Sequence, residues 1–361
     1  MQSIAQFFLS LNKFYKMKKR QTTIHDIAKY LNVTASTVSR ALNDHPRISE
    51  ATKKRVKQAA KKLDYKLNII AANLRKGKGN TIGIIIPLIN RFFFANIISG
   101  IETVANPAGY NLIICPSNEN LEKETNNIKT LISNRVSGIL ISISAETKTA
   151  EHFESVFKSG IPLVQFDRTI EHIATTKVFN DDFTGAYQNV MHLIDQGYKH
   201  IVHFAGPQYI INYQKRFEGY RQALLDNNLP FRPERVYEGV ISRERGYETM
   251  STILNTDPEI DALFAASDMS ALGAMILLKK RKIQIPALFG ITGYVNEPFG
   301  EFVEPSLTTT EQKGIAIGKA AAKELIAQIS AAEKYRFRSI IIPPELIVRN
   351  SSLKNHAELK L

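Results

Sequence analysis

Between Thr22 and Leu63 apolar residues recur at three- and four-residue intervals in short bursts, a pattern that predicts helices joined by tight connections. Thr22 or Thr23 can cap a helix over Ile24–Leu31, and Asn32-Val33-Thr34 leads into a second short helix over Ala35–Leu42. A loop holding Pro46 follows. Ser49, with Glu50 to Thr52 behind it, then opens a third helix through Leu63. Ile27, Ala28, Val33, Val38, Ala41, Leu42, Val56, Ala60 and Leu63 fall where three helices can share one small core. The pattern then weakens. Asn68 can cap a short helix over residues 69–75, which runs out in the basic, flexible Lys76-Gly77-Lys78-Gly79.

After Thr81 the period changes. Strand-like runs at 81–86, 111–115, 138–143, 163–167, 177–180, 200–205, 262–266 and 289–292 alternate with helical stretches. A further helix is expected over 314–329 and a strand-like run over 340–348. Such alternation implies parallel sheets with helices on both faces, and so many strands fit two α/β lobes better than one sheet.

Charge sharpens the division. The 361 residues carry a net charge of +13, but residues 1–80 hold 18 Lys/Arg against 4 Asp/Glu and the remainder is nearly neutral. A module for a polyanion is therefore expected at the N-terminal end. The single cysteine, Cys115, excludes an internal disulfide and a cysteine-based zinc site, and suits a reducing cytoplasm. No apolar run reaches membrane-spanning length. The stretch Ile4–Leu11 lacks a basic residue before it and a small-x-small cleavage pattern, so export is not expected. Residues 1–21 are an extra N-terminal segment, and Met17, followed by Lys18, Lys19 and Arg20, is the expected start of translation, which leaves residues 1–16 untranslated.

Two short helices joined by a tight turn have the geometry of a helix-turn-helix, whose second helix lies in the DNA major groove. With Val38 and Leu42 inward, the opposite face of that helix carries Ala35, Ser36, Ser39 and Arg40. Arg40 can pair with guanine O6 and N7, and Thr34 with the amides at the helix start can hold a phosphate. The rival reading is a helical cap packed on the larger body, which sits poorly with a Gly-Lys-Gly tether.

These residues resemble the opening of the lactose-repressor (LacI/GalR) family of transcription regulators. The likeness rests on Thr23-Ile24-His25-Asp26-Ile27-Ala28-Lys29, Val33 to Asn43 (Thr37 included), Ile48-Ser49-Glu50-Ala51-Thr52 and Leu63 to Asn68. It continues through Gly83–Pro87, Arg135 to Leu140, Phe166-Asp167-Arg168, Gly197–Ile201, Ser267-Asp268, Gly293-Tyr294 and Leu307-Thr308-Thr309 with Gln312. The resemblance implies a helix-turn-helix headpiece, residues 22–67, and a two-lobed core like a periplasmic sugar-binding protein, residues 81–350. By the same implication the first lobe takes about 81–179 and 310–338, the second about 180–309 and 339–350, with 351–361 as a tail. It implies a homodimer, with a tetramer open, reading a near-palindromic operator. Residues 68–80 would be a hinge helix begun by Asn68, in which Leu74, flanked by Ala71, wedges into the minor groove. Asp64 and Leu67 depart from the usual Gly and Pro of that stretch.

For the core the resemblance implies a small effector, a sugar or related metabolite, held between the lobes beyond the strand ends. Candidate contacts carried over by position are Phe93, Phe94, Ser142, Asp167, Arg168, Phe179, Arg216, Ser267, Asp268 and Gln312. Arg216 is the foremost, since a guanidinium presents a planar fork to a pair of hydroxyls or a carboxylate. Val295 stands where the family commonly has an aspartate, and Asn296 is the nearest residue able to take its place. Two other functions stay open: an enzyme such as a sugar kinase fused to a DNA-binding arm, and a regulator answering to a phosphoprotein corepressor. The enzyme lacks support, because the chain holds no phosphate-cradling glycine motif and no nucleophile elbow. His200-x-x-His203 is too little for a metal site. No catalytic residue, cofactor or metal is expected.

Overall fold

The computed structural model describes residues 22–65, 79–331 and 335–354 and divides into two units, residues 1–77 and 78–361. The first holds three helices, α1 (Ile24–Leu31), α2 (Ala35–Leu42) and α3 (Glu50–Lys62). Each starts on a side chain that accepts from a backbone amide: Thr23 from Asp26, Thr34 from Thr37, Ser49 from Thr52. Thr23 and Asp26 complete a reciprocal capping box. Asn32 ends α1 in the left-handed region at φ 55, which an asparagine tolerates. Ile27, Val38 and Val56 are wholly buried between the three helices. Each such side chain contributes about 1.5–3 kcal/mol by leaving water.

The second unit begins with β1 (Thr81–Ile86), α4 (Phe92–Ala105), β2 (Asn111–Pro116), α5 (Leu121–Ser133), β3 (Gly138–Ile141), α6 (Glu154–Ser159), β4 (Leu163–Phe166) and β5 (Thr176–Asn180). Next come α7 (Asp182–Asp195), β6 (Ile201–Phe204), α8 (Ile211–Asp226), β7 (Val236–Tyr237), α9 (Arg243–Thr256), β8 (Ala262–Ala265), α10 (Asp268–Lys280) and β9 (Gly290–Thr292). The chain closes with β10 (Thr309–Glu311), α11 (Gly314–Ala331), β11 (Ser339–Ile342) and β12 (Glu345–Ile347). Two parallel sheets result, in the orders β11-β5-β4-β3-β1-β2 and β7-β6-β8-β9. In β1 the side chains of Ile82, Ile84 and Ile86 pack under α4 and α11, whereas Ile85 joins the opposite face with α5 and α6. A strand covered on both sides has no polar face, which is why its sequence reads as an unbroken apolar run.

The chain passes between the lobes three times: from β5 into α7, from β10 into α11, and from β11 into β12. Asn180 ties these passages together, its Nδ2 donating to the carbonyls of Gln312 at 2.8 Å and Ile342 at 3.0 Å.

Three expectations need correction. The run over 340–348 is two strands broken at Pro343-Pro344. Its first half, β11, pairs with β5 in the first lobe's sheet and not in the second lobe. A proline lacks the amide that would carry one ladder through. Residues 351 and 352 are no tail: both are fully buried, and the Ser351 hydroxyl donates to the Ile291 carbonyl at 2.6 Å. The short strands β7 and β10 had no counterpart in the strand-like runs. Asn68, Ala71 and Leu74, with the hinge helix they define, lie outside the described residues, as do residues 1–21.

Candidate functional site

Two surfaces gather the sequence candidates. In the headpiece, α2 buries Val38 and Ala41 and leaves Ser36 and Arg40 exposed. The Arg40 side chain forms no hydrogen bond or ion pair among the described residues, so its guanidinium is uncommitted. Ala35 does not stand free on that face; it packs partly against the small core. Thr34 is occupied as a cap, its hydroxyl meeting those of Ser36 at 2.8 Å and Thr37 at 2.9 Å. Asn43, at the far end, donates from Nδ2 to the Ser39 carbonyl at 2.8 Å. Thr23 is held in its capping box. The first-turn amides of α2 that Thr34 does not cap and, on its last turn, the unpaired Arg40 cation make a surface ready for phosphate and base edges.

In the core, a cavity between the lobes is lined by Phe93, Phe94, Asp167, Arg168, Arg216, Ser267 and Gln312, seven of the ten candidates. Leu88, Arg91, Glu119, Asn212, Tyr213, Ile241, Ala266, Val295 and Glu297 complete the wall. Asp167 follows β4 in the left-handed region at φ 58. Its carboxylate accepts from the Ser142 hydroxyl at 3.1 Å and, across the cleft, from Asn212 Nδ2 at 3.2 Å. Burial pushes its pKa up to about 6, against the lowering pull of Arg168. Ser142 is thus a support behind Asp167 and does not reach the cavity.

Arg216 is not free. Its Nε donates to Asp182 Oδ1 at 2.8 Å and its Nη1 to the Ala266 carbonyl at 3.0 Å, while the guanidinium lies 3.8 Å from the Tyr294 ring centroid. Asp182 also accepts from Asn212 Nδ2 at 2.8 Å. Asp167, Asn212, Asp182 and Arg216 therefore form one buried chain. Arg168 is likewise paired, to Glu119 at 2.7 Å. Reading Arg216 as a free fork for a ligand missed Asp182, the first residue of α7 after its Asp181 cap.

Asp268 is a clear correction. It is fully buried and absent from the cavity wall; it accepts from Thr309 Oγ1 at 2.6 Å and from the Glu297 amide at 2.7 Å. Its work is to anchor the turn 294–297, and Gly293 has no Cβ to push the carboxylate away. Phe179 lies outside this cavity and lines another. Asn296 does not replace the missing aspartate, since its side chain faces Glu311 and Arg349. Val295 sits at φ 112 and Asn296 at φ 56. A β-branched residue at such φ is costly, and the three amides 295–297 are each held: by the Thr310 carbonyl, by Thr309 Oγ1 and by Asp268. That turn brings Glu297 to the cavity in place of a carboxylate at 295. Burial raises the Glu297 pKa, with Arg91 opposing.

Two buried atoms on this wall have no hydrogen-bond partner: Gln312 Nε2, a donor, and Asn212 Oδ1, an acceptor. The two histidines of His200-x-x-His203 do not converge. His203 is buried and stacks on Phe264 and Tyr220, and burial lowers its pKa to about 4, while His200 meets Arg235. Among the described residues no helix is long and apolar enough to cross a membrane.

The family model for periplasmic binding proteins and the sugar binding domain of the LacI family matches residues 79–351, and that for bacterial regulatory proteins, lacI family, matches residues 23–68. The HTH-type transcriptional repressor PurR of Actinobacillus pleuropneumoniae serotype 5b is 32% identical over 330 residues, 91% of this chain and 98% of that protein. Catabolite control protein A of Priestia megaterium is 31% identical over 331 residues, covering 91% and 99%. The structure of the lac repressor dimer bound to operator and the anti-inducer ONPF shares the fold, with TM-score 0.82 at 23% identity over 92% of this chain and all of that one. The transcriptional regulator CelR–cellobiose complex gives TM-score 0.70 at 25% identity over the same shares. With both family models matched in order and identity above 30% across nearly the whole of two relatives, the chain belongs to the LacI family of bacterial regulatory proteins, DNA-binding transcription regulators.

Proposed function

We propose that the protein is a cytoplasmic, non-catalytic repressor that binds a near-palindromic operator as a homodimer and changes its operator affinity when a neutral polyhydroxylated metabolite enters the inter-lobe cavity. In the headpiece Arg40 and Ser36 read base edges, with Ala35 and Ser39 beside them. Thr23, Thr34, Thr37 and Asn43 hold the helix ends against phosphate. Asn68, Ala71 and Leu74 make the minor-groove wedge.

The observation that carries the effector class is the pair of unsatisfied atoms on the cavity wall, the Gln312 Nε2 donor and the Asn212 Oδ1 acceptor. A hydroxyl donates and accepts at once, so one polyol answers both. Charge points the same way. Arg168 and Arg216 are already neutralised by Glu119 and Asp182, which leaves Arg91 facing Asp167 and Glu297. An anionic ligand would meet a surplus of carboxylates, whereas carboxylates accept well from sugar hydroxyls. Phe93 and Phe94 supply an apolar wall for a ring face. Ser267 and Ala266 close the second lobe's side.

Isothermal titration calorimetry of the full chain against neutral monosaccharides, sugar acids and sugar phosphates tests the class. At least one neutral sugar is expected to bind, with sugar acids weaker. Binding by sugar acids or phosphates alone would overturn the reading, and turnover of ATP with any sugar would replace it by the enzyme.

A further inference from the structure

A second cavity, of about 480 Å³ against about 100 Å³ for the first, meets it at Asp167 and Asn212 and extends along β5, β11 and the starts of α7 and α8. Its volume is within the range of about 300–1,000 Å³ usual for small-molecule sites. We propose that it is a ligand site in its own right, taking a small organic amine: an ammonium or guanidinium group carried on an aromatic or aliphatic body.

The walls set the body. Phe179 and Ile341 from the first lobe face Phe183 and Ile211 from the second. All four are only part-buried or exposed, Ile341 by 56%. The polar groups set the head. Asn180 and Asn212 both line the cavity, are at least nine-tenths buried, and have amide oxygens without any hydrogen-bond partner. Each side chain's Nδ2 is already spent, on Gln312 and Ile342 or on Asp167 and Asp182, so what remains to be satisfied is acceptance. Glu171, exposed beside them, makes no hydrogen bond or close ion pair among the described residues. The two lysines on the wall are already offset by carboxylates. Lys215 is bonded to Glu218 at 2.7 Å, and Lys177, which donates to the Ile173 carbonyl at 2.9 Å, lies in the field of Glu171. Buried, unmatched acceptors against apolar walls select a donor-rich cationic head.

The position carries a consequence. Asn180 ties the three inter-lobe passages, so an occupant bonded to its Oδ1 touches the hinge itself and is sensitive to lobe closure. The inference goes beyond the effector reading: the two cavities share Asp167 and Asn212, whose one vacant Oδ1 faces a choice between them, whereas Asn180 with its vacant Oδ1 lines only the second.

The probe is 2-phenylethylamine, titrated calorimetrically into the full chain, with 2-phenylethanol and phenylacetate as neutral and anionic bodies of the same shape. The amine is expected to give a saturable isotherm, and the other two to bind about tenfold more weakly or not at all. Ile341→Lys, an exposed change that sets a cation in the cavity mouth, should weaken the amine about tenfold. Arg91→Ala, which alters only the first cavity, should leave it within about twofold. Absence of saturable binding at millimolar amine, equal binding of phenylacetate, or an unaffected Ile341→Lys would overturn the proposal. So would equal damage from Arg91→Ala, which would return the amine to the first cavity. Loss of sugar binding in the calorimetric panel would defeat the effector reading and leave these outcomes unchanged.

Discussion

The headpiece and the inter-lobe cleft solve opposite problems with the same residue type. Arg40 stands exposed and unpaired on α2, while Arg216 is buried and already held by Asp182 and the Ala266 carbonyl. A cation kept in water costs little to leave free and can wait for a duplex. A cation out of water must be paired at once, because desolvation penalises an isolated charge by several kcal/mol. The headpiece therefore reads its partner with free charge, and the cleft reads its own with hydrogen-bond vacancies left between charges that have neutralised one another.

This contrast makes the two arginines unequal under substitution. The largest effect is expected from Arg216→Ala, which strands Asp182 in the core. It should destabilise the core's unfolding transition in denaturant by about 3–5 kcal/mol and abolish the effector response. The double variant Asp182→Asn/Arg216→Met should recover much of the stability without the response. A loss of stability confined to the headpiece transition would break the contrast. Next comes Arg40→Ala, which should cost about 1–3 kcal/mol at the cognate operator and relax one base position, with no change in either unfolding transition. Equal losses on all duplexes in gel-shift titrations would reduce Arg40 to a phosphate contact.

Smaller still is a pH effect. Asp167 already accepts from the Ser142 hydroxyl and from Asn212 Nδ2 and is an acceptor at both oxygens only when ionised, and burial sets its pKa at about 6 in the folded core, above the ordinary aspartate value. Effector affinity measured by calorimetry should therefore hold above pH 6 and fall towards about tenfold per pH unit below it, about 1.4 kcal/mol. The sign for stability is opposite. The folded core binds this proton more tightly than the unfolded chain, so Asp167's contribution declines as pH rises from about 4 to about 6. Flat effector affinity from pH 5 to 8 would remove Asp167 from the contact. The smallest change is Ser49→Ala, which deletes a cap away from the reading face. It should lower headpiece stability by about 1 kcal/mol in thermal unfolding and leave base preference intact.

The same contrast explains what could be read in advance. The bounds of α1 and α2 were legible to the residue, because Thr23, Thr34 and the left-handed Asn32 act within four residues of the helix ends they define. The β-α alternation was legible for a similar local reason, the unbroken apolar runs of doubly covered strands. The cleft depends on partners far apart in the chain. Asp182 and Arg216 are 34 residues apart, Asp167 and Asn212 45, and Asp268 and Thr309 41. Periodicity carries no record of such meetings. Asp268 was therefore given to the ligand when it anchors a turn, and Glu297 was overlooked. Only the two left-handed residues before Glu297, Val295 and Asn296, swing it to the cavity. Likewise β11 followed its apolar composition into the wrong lobe, since nothing local to residues 339–342 says which sheet edge is open.

The central claim, that a neutral polyol in the cleft governs how the headpiece holds DNA, is tested most directly by one titration series. A duplex selected from a randomised library by the full chain is titrated with protein in the presence and absence of the neutral sugar that binds it, for the native chain and for Arg216→Ala. The account predicts a near-palindromic duplex, a shift of about tenfold or more in its affinity on adding the sugar, and no shift in Arg216→Ala, whose affinity without sugar stays native. A duplex without two-fold symmetry, an affinity indifferent to the sugar, or a full response retained in Arg216→Ala would contradict it.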